Sequence, residues 1–271
     1  MKRVATLIYG VFCYAVFLAT FLYAIGFIGN LIVPKSIDSV PMLSLGSALL
    51  INTVLLIVFA VQHSVMARPF FKRAWKRIVP EAAERSTYVL FSSLALILLF
   101  VMWQPMGGVV WELESSAARN AVYVAYGFGW VLVLASTFSI DHFDLFGLRQ
   151  TWHYARGLEY QPPVFKQPIL YRIVRHPLCV GWLFVFWSTP TMTIAHLFFA
   201  VGTTLYTLIA IQLEEHDLQN THPEYSEYRK RVPMLIPIIG RLLFLLRQVI
   251  NGVRSKHAPS KLTRHRHNPG H

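Results

Sequence analysis

Four apolar runs, at residues 4–33, 42–66, 87–106 and 118–140, each supply the roughly 20 residues that a helix needs to cross about 30 Å of hydrocarbon. The first is too long and too aromatic for a signal peptide and no small-x-small cleavage site follows it, so a retained transmembrane helix is expected. A fifth stretch, 178–213, is broken by Ser188-Thr189-Pro190-Thr191, which predicts a short helix and a longer one joined by a tight turn. The expected fold is all-α: a polytopic helical membrane protein of four spanning helices plus a helical hairpin, in one domain over residues 1–250. Composition agrees, with 55% hydrophobic and only 14% charged residues.

The net charge of +12 raises the question of nucleic acid. The basic residues, however, lie between the apolar runs and in the tail, where membrane topology places them, so no nucleic-acid partner is expected. Arg68, Lys72, Arg73, Lys76, Arg77 and Arg85 follow the second run, whereas Glu112 and Glu114 follow the third with Arg119 alone to balance them. By the positive-inside rule the first of these gaps is cytoplasmic. Both termini and the segment 141–175 then share that side, because the hairpin returns the chain to where it entered. Residues 236–250 read as an amphipathic helix lying on the surface, and 251–271 as a basic, disordered tail in contact with anionic lipid. Cys13 and Cys179 form no CxxC pair, so neither a disulfide nor a thiolate-bound metal is signalled.

This topology brings four polar groups to one face: His63, Asp141-His142 with Asp144, Arg175-His176, and Glu214-Glu215. Ionisable residues near hydrocarbon are costly, so a cluster of them points to a site. Each has a plainer reading as well. His63 could bond a backbone carbonyl, the aspartates could cap a helix, and the glutamates could pair with Arg229 or Arg231. His196, just past the hairpin turn, reads as structural.

Pro177 suits the first turn of a helix, which sets Arg175 and His176 at a helix amino terminus suited to an anion. Across the hairpin mouth the glutamate pair can accept hydrogen bonds from a ribose diol or an ammonium. S-adenosylmethionine carries all of these groups, with a sulfonium that aromatic rings can surround.

The run 171–177 (Tyr-Arg-Ile-Val-Arg-His-Pro), the glutamate pair and the segment 222–233 resemble the isoprenylcysteine carboxyl methyltransferase superfamily, with a cofactor-binding core at about 160–237. With Gln62-His63-Ser64 and the segment 189–196 added, the whole chain is similar to bacterial methanethiol S-methyltransferases and NnrU-like membrane proteins. The resemblance implies methyl transfer from S-adenosylmethionine to methanethiol, giving dimethyl sulfide, with hydrogen sulfide as a second acceptor. It assigns cofactor contacts to Tyr171, His176, Pro177, Leu178, Cys179 and Glu214, and more loosely to Val164, Phe165 and Lys166. Arg175, Glu215, Tyr228 and Arg229 complete the expected cofactor set. The chain departs from the superfamily pattern at Ile169 and Cys179, and at Ala210, where prenyl-protein enzymes carry an arginine for the substrate carboxylate. Loss of that arginine suits a small neutral thiol.

A thiol attacks as its thiolate, so a base is useful. His63 is the first candidate and His142 the second, with Asp141 or Asp144 orienting an imidazole. Two other readings remain open at this stage: a methyltransferase acting on a prenylcysteine, lipid amine or quinol, and a non-catalytic or haem-binding membrane protein with His63 and His196 or His142 as axial ligands.

Overall fold

Five helices of the computed structural model are long and apolar enough to cross a bilayer. The structure describes residues 1–163 and 166–237. Val164, Phe165, the expected surface helix from residue 238 onward and the tail at 251–271 lie outside the described residues.

The chain runs through α1 (Lys2–Gly29), α2 (Leu45–Ala67), α3 (Pro69–Trp75), α4 (Glu81–Met102), β1 (Val109–Glu112) and α5 (Ser116–Ile140). It continues through α6 (His142–Leu145), α7 (Leu148–Arg156), α8 (Ile169–Ile173), α9 (Pro177–Trp187), β2 (Thr191–Thr193), α10 (Ile194–Thr221) and α11 (Tyr225–Arg231). The spanning helices are α1, α2, α4, α5 and α10. With about 16 Å of rise, α9 is too short to span alone. The hairpin is therefore unequal: α9 dips into the membrane region and α10 spans.

The sequence reading contained no strand, yet β1 pairs antiparallel with β2, Trp111 opposite Met192 and Glu112 opposite Thr191. The turn of the hairpin carries backbone groups that must find partners once packed away from water, and the α4–α5 connection supplies them. The pairing also sets the hairpin turn at the α4–α5 end of the molecule, away from Arg175 and Glu215. There the Thr193 hydroxyl accepts the His196 N–H at 3.0 Å, capping α10, and also bonds Asp38. His196 is fully buried and its Nε2 meets the Phe186 carbonyl at 3.0 Å, which ties the end of α9 to the start of α10. A structural role for His196 fits this geometry.

Close helix approach in lipid needs small side chains. Where α9 crosses α5, a Cβ on Gly181 would lie 2.9 Å from the Gly129 carbonyl oxygen, and one on Gly129 the same distance from that of Gly181. Aromatic side chains from α1, α4, α9 and α10, among them Phe27, Phe100, Phe186 and Phe199, fill the centre. At the other end, Gly147 (φ +87°) lies so close to Ser86 that a Cβ would come within 2.6 Å of its backbone nitrogen. This contact docks the 141–147 turn against the start of α4.

Candidate functional site

Arg175, His176 and Pro177 begin α9, and Glu214-Glu215 lie in the last two turns of α10. Side chains adjacent on a helix diverge by about 100°, and here the two glutamates separate. Glu215 is 2% exposed and points inward, where Arg175 Nε reaches its Oε1 at 2.7 Å, His176 Nε2 meets the same oxygen at 3.0 Å and Arg229 Nε lies 3.0 Å from its Oε2. Arg175 also donates to the carbonyls of Arg229 and Val232. The backbone N–H groups of Arg175 and His176 donate to Pro233 and Met234. The anion-binding terminus expected at Arg175 is therefore filled from within by the Glu215 carboxylate and the returning chain. Tyr228 is buried and donates to the Tyr171 carbonyl at 2.6 Å, which fastens α11 to α8. Burial pushes the Tyr228 hydroxyl up to about 12 and raises that of Tyr171, with the nearby Glu214 charge adding to the latter.

Glu214 is 57% exposed and takes the opposite direction, with His176 Nδ1 3.7 Å from its carboxylate. It lines a cavity of about 390 Å³, open to solvent on one side, whose walls come from α1, α2, α4, α5, α9 and α10 and the 142–146 turn. Leu178, Cys179, Ala210, His63 and His142 share this cavity. His63 sits between Tyr88, whose hydroxyl is 2.9 Å from Nε2, and Ser92, whose Oγ is 3.1 Å from Nδ1, and it stacks on Phe59. His142 is bonded by Tyr14 at Nε2 and Thr137 at Nδ1, both at 2.9 Å, and it stacks on Phe138. Burial lowers the basicity of His142, with Asp141 partly opposing the effect.

The aspartates do not orient either imidazole, contrary to the sequence expectation. Asp141 caps α6, accepting the Asp144 N–H at 3.1 Å, and is paired with Arg149 at 2.5 Å. Asp144 accepts the Tyr160 hydroxyl at 2.8 Å. A helix start with free N–H donors takes the Asp141 oxygen before a histidine can reach it. Burial raises Asp144 despite that hydrogen bond and raises Tyr160 to about 12. Both aspartates line a separate, more polar cleft of about 730 Å³ beside α3 and α7. Lys166 is exposed and Pro177 is buried.

The sequence reading missed Arg85, Tyr88, Ser92 and Tyr206. The first three stand on one face of α4 at helical spacing, and polar groups recurring on one side of an apolar run were the signal that could have found them. Tyr206 joins them from α10, its ring edge-on to His63 and its hydroxyl 3.3 Å from Ser64 Oγ.

Residues 51–247 match the family model described as NnrU protein. The chain belongs to the NnrU family. This NnrU-family chain is 56% identical to a methanethiol S-methyltransferase of Crocosphaera subtropica, over 89% of this chain and 95% of that one. It is 50% identical to a methanethiol S-methyltransferase of Mycobacterium tuberculosis, covering 88% and 98% of the two chains. A more distant likeness, 34% identity over 61% of this chain and 66% of the other, links this NnrU-family member to nurim of Bos taurus. No solved structure matches.

Proposed function

We propose that this NnrU-family protein is a thiol S-methyltransferase that transfers the methyl group of S-adenosylmethionine to methanethiol, releasing dimethyl sulfide. One observation carries the reading: a largely apolar cavity holds a hydrogen-bonded histidine, His63, and a carboxylate, Glu214, on common walls. Relatives at 50–56% identity over nearly the whole chain bear the name of that activity.

The cavity residues fit a sulfonium methyl donor. Glu214 offers an acceptor for a ribose diol or an ammonium, unneutralised by any lysine or arginine within ion-pair distance among the described residues. Trp182, Phe186 and Tyr206 present ring faces or edges to the same space, which favours a soft cation. When bound, S-adenosylmethionine supplies an electrophilic methyl group. The chain's own residues do the rest. The apolar walls admit a small lipid-soluble thiol and exclude water from the reacting centre. His63, fixed in orientation by Tyr88 and Ser92, receives the thiol proton, and the helices hold the sulfur in line for attack. Arg175, His176 and Arg229 act indirectly: by clamping Glu215 they hold α9 against α10 and so set the direction of Glu214.

The excess of lysine and arginine at the α2–α4 connection supports a cytoplasmic opening, with both termini on that side of a bacterial inner membrane. The deciding experiment is headspace gas analysis of membranes containing the protein, given methanethiol and S-adenosylmethionine. Dimethyl sulfide above the empty-membrane background is expected, and none would defeat the reading.

A further inference from the structure

Among the described residues that line the apolar cavity, Arg85 alone carries a permanent positive charge and Glu214 alone a carboxylate. Arg85 also lines the polar cleft, so it stands in the partition between the two spaces. Its Nε donates to the Leu145 carbonyl at 2.7 Å, and its guanidinium carbon lies 5.1 Å from the centroid of the Tyr88 ring, whose hydroxyl bonds His63. The one backbone bond and the ring fix the head group without neutralising it. No carboxylate among the described residues lies within ion-pair distance, which leaves the terminal amino groups of the fork open.

An apolar cavity that holds a carboxylate is a poor place for a thiolate to form, since desolvation and like charge both oppose it. The cation on the wall has to offset this. We infer that Arg85 is the anion-binding group for the acceptor sulfur, holding the thiolate beside His63 at the junction of cavity and cleft; this rests on the thiol-methyltransferase reading. The acceptor S–H bond breaks with its proton passing to His63, which returns it to solvent after the transfer. The sulfur keeps the electron pair and forms the new S–CH3 bond, while the pair of the broken donor bond stays on the donor sulfur, which becomes a neutral thioether.

The titratable and charged groups around Arg85 come from several elements: His63 of α2, Arg68 between α2 and α3, Lys72 of α3, Lys76 just after it, and Glu81, Glu84 and Tyr88 of its own helix. From the other side come Asp141 before α6, His142 and Asp144 of α6, Tyr154 of α7, Tyr160, and Glu214 of α10. Only Arg85 among the cations lines the apolar cavity itself.

The test compares wild type, Arg85→Lys and Arg85→Gln in detergent or liposomes. Dimethyl sulfide formation is followed from pH 6 to pH 10, together with thermal unfolding with and without thiocyanate, an unreactive thiolate mimic. Arg85→Gln is expected to move the acid limb of kcat/KM for methanethiol upward by at least about one pH unit, an approximately tenfold loss at pH 7 that recovers as pH rises. Arg85→Lys should keep most of the wild-type profile. Thiocyanate should raise the unfolding temperature of wild type and Arg85→Lys but not of Arg85→Gln. A Gln variant whose profile parallels the wild type at every pH, or wild type that thiocyanate does not stabilise, overturns the assignment. Arg85→Met, uncharged and of similar length, carries both expectations if the Gln variant does not fold. Wild type that binds thiocyanate through Arg85 yet forms no dimethyl sulfide would defeat the proposed function and leave the anion site standing.

Discussion

Arg175 Nε lies 2.7 Å from Glu215 Oε1 with both side chains buried, while Glu214, the next residue along the same helix, is more than half exposed and faces the cavity. A buried charge whose partner is removed is strongly unfavourable, whereas a half-exposed one is tolerated. Arg175→Met is therefore expected to cost about 1.5–3 kcal/mol by removing one buried charged hydrogen bond from Glu215, which keeps His176 and Arg229. Glu214→Ala should fold normally and weaken binding of S-adenosylmethionine. Thermal unfolding and calorimetric titration of both variants separate these effects. Equal loss of stability in the two would show that the glutamates share one role.

His63 and Tyr88 are expected to act together. His63→Ala should lower turnover about 10²- to 10⁴-fold, the range for removal of a general base, and leave cofactor affinity near normal. Tyr88→Phe keeps the ring under Arg85 and loses only the hydroxyl that orients His63, so a smaller loss in kcat is expected. Steady-state kinetics at saturating cofactor check this, and unchanged turnover in His63→Ala would remove it from the mechanism.

Gly181→Ala should destabilise the protein by about 1–3 kcal/mol, because the added methyl meets a backbone oxygen of α5 that cannot turn aside. The same shift moves Leu178, Cys179 and Trp182 on the cavity wall, so activity should fall further than stability. Gly127→Ala, with open space around its Cβ, is the control. Unfolding temperature and turnover measured side by side give the comparison.

His142 predicts an acid-side loss of stability. Burial holds its folded value below the ordinary 6.5, so below about pH 6.5 the unfolded chain takes up the proton more readily. Its contribution is complete above pH 6.5 and declines as pH falls toward the folded value. His142→Gln, which still has groups to offer Tyr14 and Thr137, should flatten the fall in unfolding temperature between pH 7.5 and pH 5.5. An unaltered slope would assign the acid sensitivity elsewhere.

Asp141→Asn is expected to cost on the order of 1 kcal/mol through the weakened pairing with Arg149, its cap being largely preserved. Its kcat should equal that of the wild type. A large fall in kcat with normal stability would return Asp141 to the catalytic set.

The spanning helices were readable in the amino-acid order because hydrocarbon leaves a helix few alternatives: length and apolarity suffice for α1, α2, α4 and α5. The break at Ser188–Pro190 likewise announced the unequal hairpin. The β1–β2 pair was not readable, because two stretches of three or four residues acquire strand character only on meeting each other. His63 was marked by its polarity within an apolar run. The partners that orient it, Tyr88 and Ser92, lie on a different helix and are ordinary residues until α2 packs on α4.

The order of residues alone determined a helical membrane protein with charged clusters at the mouth of its last hairpin, since burial of backbone in lipid and the spacing of apolar runs depend only on local sequence. It could not tell Glu214 from Glu215, nor a capping Asp141 from an orienting one. Which carboxylate meets Arg175 and which meets the cavity depends on how α10 is rotated against α9. That rotation is set by packing between helices, Phe186 against His196 across the hairpin turn and Gly129 of α5 against Gly181 of α9, so only the tertiary structure decided it.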